Sequence, residues 1–109
     1  MAIRLVASEY EARLVSADEH DGSGKIERKA YKDGTTALRA RFRATAGTAG
    51  TLELFINEQS IGFLEGTGKK AELELESAKG DVVPAVRVGD TAEIWAGAEL
   101  VATGQFVED

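Results

Sequence analysis

Leu38-Arg39-Ala40-Arg41-Phe42-Arg43-Ala44 alternates without a break between an apolar residue and an arginine. Successive side chains of a β-strand point to opposite faces, so this stretch is a strand with one apolar and one cationic face. Ala71-Glu72-Leu73-Glu74-Leu75-Glu76 repeats the pattern with glutamates in place of arginines. The two rows are equal in length and opposite in sign. They predict that these strands pair directly, or share one sheet with Glu53 between them. Each exposed ion pair contributes only about 0.2–1 kcal/mol. The rows matter more for register, because a one-residue slip would turn charges into the core. The alternative use of Arg39, Arg41 and Arg43 is to hold phosphate or carboxylate groups.

Turn signals recur on either side of these strands. Residues 25–31 and 36–44 form a hairpin through Lys32-Asp33-Gly34-Thr35, where Asp-Gly predicts a type I′ turn. A second hairpin joins residues 51–56 to 61–64 through 57–60, and a third joins 91–96 to 99–107 through Gly97-Ala98. In the third, Leu100, Ala102 and Phe106 are expected on one face. Residues 82–88 are apolar but hold the only proline, Pro84, which predicts an edge strand or an extended connection. Residues 3–7 suit a strand, and 8–16 are read as strand rather than as a helix capped at Ser8. About eight or nine strands follow. The expected fold is an all-β antiparallel β-sandwich built from successive hairpins, with a small β-barrel as the alternative, in a single domain over residues 1–109.

Composition narrows the function classes. The hydrophobic fraction of 43% supports one modest core. A net charge of −6 disfavours a nucleic-acid partner, which needs Lys and Arg to neutralise phosphates. The absence of cysteine excludes a disulfide scaffold, a thiolate metal site and a cysteine nucleophile. No apolar run approaches the roughly 18 residues of a membrane helix, so no membrane partner is expected. Met1-Ala2-Ile3-Arg4 shows no signal peptide, and a cytoplasmic location is expected where Met1 is the natural start.

Thr51-Leu52-Glu53-Leu54-Phe55-Ile56 and Thr91-Ala92-Glu93-Ile94-Trp95-Ala96 share one order of residue types, which predicts two equivalent hairpins. Their return strands each add a glycine (Gly62, Gly104) and a phenylalanine (Phe63, Phe106). Leu52, Leu54 and Ile56 share one face, as do Ala92, Ile94 and Ala96. Phe55 and Trp95 therefore point the other way, beside Glu53 and Glu93. Large rings on a polar strand face require a cover, a partner or a ligand. Phe55, Trp95, Glu53 and Glu93 form the candidate binding interface of a non-enzymatic binding or assembly module. Its partner is expected to be a second copy of the chain, as in a homodimer, or another protein. A carbohydrate stacked on Phe55 and Trp95 is the alternative.

The segment Asp18-Glu19-His20-Asp21-Gly22-Ser23-Gly24-Lys25-Ile26-Glu27 resembles the core of an EF-hand calcium loop. Asp21, Ser23, Gly24 and Ile26 occupy its third, fifth, sixth and eighth positions. It departs from that loop at Glu19 in the first position and at Ala30 in the twelfth, where a bidentate glutamate belongs. The resemblance implies a weak Ca²⁺ site through Asp18, Glu19 and Asp21; no other cofactor is expected. His20 is the only histidine, and no Gly-x-Ser-x-Gly elbow or phosphate-binding glycine loop is present. A hydrolase using paired carboxylates is the least supported reading.

Overall fold

The computed structural model describes residues 5–17, 22–44, 51–66 and 69–109. Eight strands run as β1 (Val6–Ser16), β2 (Gly22–Tyr31), β3 (Thr36–Ala44), β4 (Leu52–Ile56), β5 (Gln59–Leu64), β6 (Lys70–Glu76), β7 (Thr91–Ala96) and β8 (Glu99–Glu108). All neighbours are antiparallel, in the order β5-β4-β7-β8-β1-β2-β3-β6. The all-β antiparallel architecture is the expected one, and it takes the form of a single barrel-like sheet. The sheet almost closes on itself. Just past the end of β5, Glu65 bridges to Glu72 of β6, each amide donating to the other's carbonyl at 2.8 Å. Further along, Gly62 of β5 faces the side chain of Leu73, with no ladder between the two strands.

The charged rows pair directly, with Arg39 opposite Glu74 and Arg41 opposite Glu72. Arg39 Nε lies 3.2 Å from Glu74 Oε1. The opposite face of β3 is buried throughout, at Leu38, Ala40, Phe42 and Ala44. The remaining strands turn Ala12, Leu14, Ile26, Leu52, Leu54, Ile56, Ala92, Ile94, Ala102 and Phe106 into the same core. Burying each of its larger side chains contributes about 1.5–3 kcal/mol. No polar or charged residue is buried among the described residues. The barrel is therefore filled by apolar side chains rather than hollow.

Residues 8–16 are strand, as the sequence predicts. Residues 82–88 are an extended connection and join no sheet. From β6 the chain passes through a 3-10 turn (Ser77–Lys79) and runs past β2, where Arg28 Nε donates to the Pro84 carbonyl at 3.1 Å. It reaches β8, where the Phe106 amide donates to the Asp90 carbonyl at 2.9 Å. Val86 is buried and Val83 packs on the core, so this strap covers one end of the barrel. Asp90 fastens it. Its carboxylate accepts from the Asn57 side chain and from the Arg87 amide at 2.7 Å, and these donors hold its pKa below the ordinary value.

The β2–β3 turn differs from expectation. Gly34 alone has a positive φ (91°), and its amide donates to the Tyr31 carbonyl at 3.0 Å. This is a three-residue loop with a left-handed glycine, not a type I′ turn. The Asp33 carboxylate accounts for it by accepting from both the amide and the hydroxyl of Thr35, at 2.9 and 2.6 Å. The positive-φ pair occurs instead at Asn57 (49°) and Glu58 (68°), which alone connect β4 to β5.

Candidate functional site

The matching hexapeptides become adjacent strands. β4 and β7 pair with Leu54 opposite Ile94, Glu53 opposite Trp95 and Phe55 opposite Glu93. Corresponding positions thus exchange across an approximate twofold axis between Leu54 and Ile94. Each strand continues through a two-residue turn into its return strand, and each hairpin has a register shift at the same place, Leu54/Phe55 in one and Ile94/Trp95 in the other.

The glycines and phenylalanines of the return strands do not correspond as the sequence match implied. Gly62 opposes Leu54, so its counterpart is Ala102, which opposes Ile94. Phe106 is wholly buried, whereas Phe63 is 54% exposed. The irregularity in β8 also moves Leu100 off the core face on which Ala102 and Phe106 lie. It sits opposite Trp95, on the outer surface, while Val101 and Ala102 are both buried.

Two registered rows result on the outside of the barrel. Phe63, Glu53, Trp95 and Leu100 lie across β5, β4, β7 and β8, and Ser60, Phe55, Glu93 and Thr103 form the next row. Neighbouring strands are about 4.8 Å apart, so each row spans roughly 15 Å. Phe55 and Trp95 are half-buried by their neighbours on the sheet. Neither belongs to the core. The indole Nε1 of Trp95 donates to Glu93 Oε1 at 3.4 Å, and the Ser60 hydroxyl donates to Glu53 Oε2. All four predicted interface residues therefore share one surface. Phe63 and Leu100 join them and were not foreseen.

This half of the barrel has a further property. Residues 51–66 and 91–109, which build β4, β5, β7 and β8, carry seven carboxylates and no Lys or Arg. All thirteen Lys and Arg residues lie elsewhere in the chain. Beside Glu93, a depression of about 340 Å³ is lined by Asn57, Glu58, Thr91 and Glu93. Glu58 holds the left-handed conformation at φ 68°, which costs a non-glycine residue about 1 kcal/mol or more. The signal was present in the sequence as an absence of basic residues, visible only when the two hairpins are taken together.

Asp18, Glu19, Asp21 and His20 lie outside the described residues. Ser23, Gly24 and Ile26 belong to strand β2, and Ile26 is wholly buried. No group of three His, Cys, Asp or Glu residues able to hold a metal ion occurs among the described residues. Among those residues no helix is long and apolar enough to cross a membrane. Comparison of the chain with protein-family models, with curated proteins and with solved structures finds no match.

Proposed function

We propose that the chain is a non-enzymatic binding module whose working surface is the outer face of β4, β5 and β7, and whose partner is a protein segment presenting Arg or Lys side chains among apolar ones. One observation carries the reading: an acidic half-barrel free of cations exposes Phe63 beside Phe55 and Trp95. Aromatic rings supply desolvated contact area, and a guanidinium or ammonium group gains from both a ring face and a carboxylate. Glu53, Glu58 and Glu93 flank the rings at the positions such a cation would occupy. A symmetric pair of identical faces would set these carboxylates against one another, which disfavours a twofold homodimer through this surface.

Calorimetric titration with a short capped peptide alternating arginine and leucine tests the reading. Binding is expected to be saturable and weak, in the micromolar to millimolar range on the order of magnitude set by so small an interface. Glu53→Gln with Glu93→Gln, and separately Phe63→Ala, should each weaken it by about fivefold or more. Equal binding by all variants would remove the surface from consideration. A second copy meeting this face head-to-tail through its own cationic β3 row is the other reading, favoured by charge complementarity. Sedimentation that shows association at low salt and its loss at high salt would select it.

A further inference from the structure

On the far side of the barrel from Trp95, the outer surface of β2, β3 and β6 separates its charges along the strands. Toward the Glu76 end, acids and bases alternate. Glu27, Arg39 and Glu74 are in register across the three strands. Toward the other end the complementarity fails. Arg13, Lys25 and Arg41 are in register across β1, β2 and β3. In the next row Arg43 stands directly opposite Lys70. Lys25 and Arg41 share Glu27, at 3.9 and 3.4 Å. Among the described residues, no ion pair joins Arg43 or Lys70 to a carboxylate. Like charges directly opposed on a sheet are destabilising. Here they line a concave site of about 350 Å³ together with Ser23, Lys25, Arg41 and Glu72.

We infer that this cleft binds the phosphate group of a small molecule. A tetrahedral oxyanion matches the fork of Arg43 on two oxygens, with Lys70 opposite it on the neighbouring strand, whose backbone runs about 4.8 Å away, and Ser23 opposite it on the other neighbour. Arg41 lies two residues along β3, about 6.7 Å from Arg43, and offers a second cation to a diphosphate. The volume falls near the lower end of small-molecule sites. The cations form a compact block rather than a stripe, and the net charge of −6 opposes a long polyanion. The same block gathers three like-charge pairs of the register, Arg13 with Lys25, Lys25 with Arg41, and Arg43 with Lys70.

The test uses inorganic pyrophosphate as the probe, followed by amide chemical shifts at low ionic strength. Saturable shifts are expected at Ser23, Gly24 and Lys70. Arg43→Gln should weaken binding about tenfold, the loss expected for one charge-assisted contact. Lys70→Glu is the decisive variant. It should abolish binding while raising the thermal midpoint by about 1–3 °C, because it turns the repulsive rung into an ion pair. Glu72→Gln should tighten binding. No saturable shift up to about 10 mM pyrophosphate would overturn the inference. Unchanged binding by Lys70→Glu would do the same. Much tighter binding of a sulfated oligosaccharide than of pyrophosphate, with a steep salt dependence, would overturn the small-molecule assignment.

Discussion

Leu54 and Phe55 are consecutive residues of β4 on opposite sides of one sheet, and truncating each to alanine separates core from surface within a single strand. Leu54 is wholly buried at the centre of the β4–β7 pairing. Leu54→Ala removes apolar contact and leaves a void enclosed by the barrel, so a loss of about 3–5 kcal/mol is expected. Phe55 is the larger side chain, yet it is only half-buried and stands opposite Glu93 and Ser60 in the register of the outer face. Its removal exposes some sheet surface to water and leaves no enclosed void. Only the transfer contribution is lost, about 1–2 kcal/mol. Urea unfolding followed by far-ultraviolet circular dichroism measures both, with the slope checked for two-state behaviour. The smaller residue should therefore cost about 2 kcal/mol more than the larger. If Phe55→Ala costs as much as Leu54→Ala, its ring is covered within the chain, and the outer face is not the free surface described above.

Three further outcomes follow from the geometry. Glu58→Gly should stabilise the protein by about 0.5–1 kcal/mol in the same assay, since glycine adopts the left-handed conformation without the Cβ clash; a neutral or destabilising result would mean that the Glu58 side chain makes a contact worth the strain. The Arg39–Glu74 pair is about half exposed on both sides, so a double-mutant cycle should give a coupling below about 1 kcal/mol that fades in about 1 M salt. Asp90 has a depressed pKa, so it contributes stability above its unfolded value near 3.8 and loses it as pH falls through the lower folded value; Asp90→Asn should flatten the acid limb of the stability profile below about pH 4 and leave its slope at neutral pH unchanged.

Most of the fold was legible because alternation carries it. The β3 row could bury Leu38, Ala40, Phe42 and Ala44 only by exposing Arg39, Arg41 and Arg43, and the opposed glutamates of β6 left two arrangements, direct pairing or a shared sheet with Glu53 between, of which the structure has the first. The identity of the partner strands of β4 and β7 was less visible. Their likeness announced two equivalent hairpins, and nothing local said that the two would pair with each other. The register irregularities were hidden as well, because one extra residue in a return strand leaves no mark on composition. That is why Leu100 was assigned to the core face; Phe63 was matched to Phe106 on residue type alone, whereas the offset of forty that aligns the hairpins sets Phe63 against Thr103. The turn at Asp33-Gly34 was misread because the Asp33 carboxylate accepts twice from Thr35, a competition between side chain and backbone that dipeptide preference does not weigh. Strand closure through Glu65 and Glu72 depends on residues meeting from the two ends of the sheet. Of the proposed surface, Glu53, Phe55, Glu93 and Trp95 were readable from alternation. The absence of any cation from its half of the barrel became meaningful only once β4, β5, β7 and β8 were known to be neighbours.

Trp95 is the only tryptophan in the chain and sits at the centre of the proposed surface. Its emission, followed while the arginine–leucine peptide is titrated at about physiological salt, therefore reports on that surface directly. The account predicts a saturable change in intensity and wavelength that Glu53→Gln with Glu93→Gln shifts to higher peptide concentration. An emission spectrum that stays constant while calorimetry shows the peptide binding would place the partner elsewhere on the molecule and contradict the account.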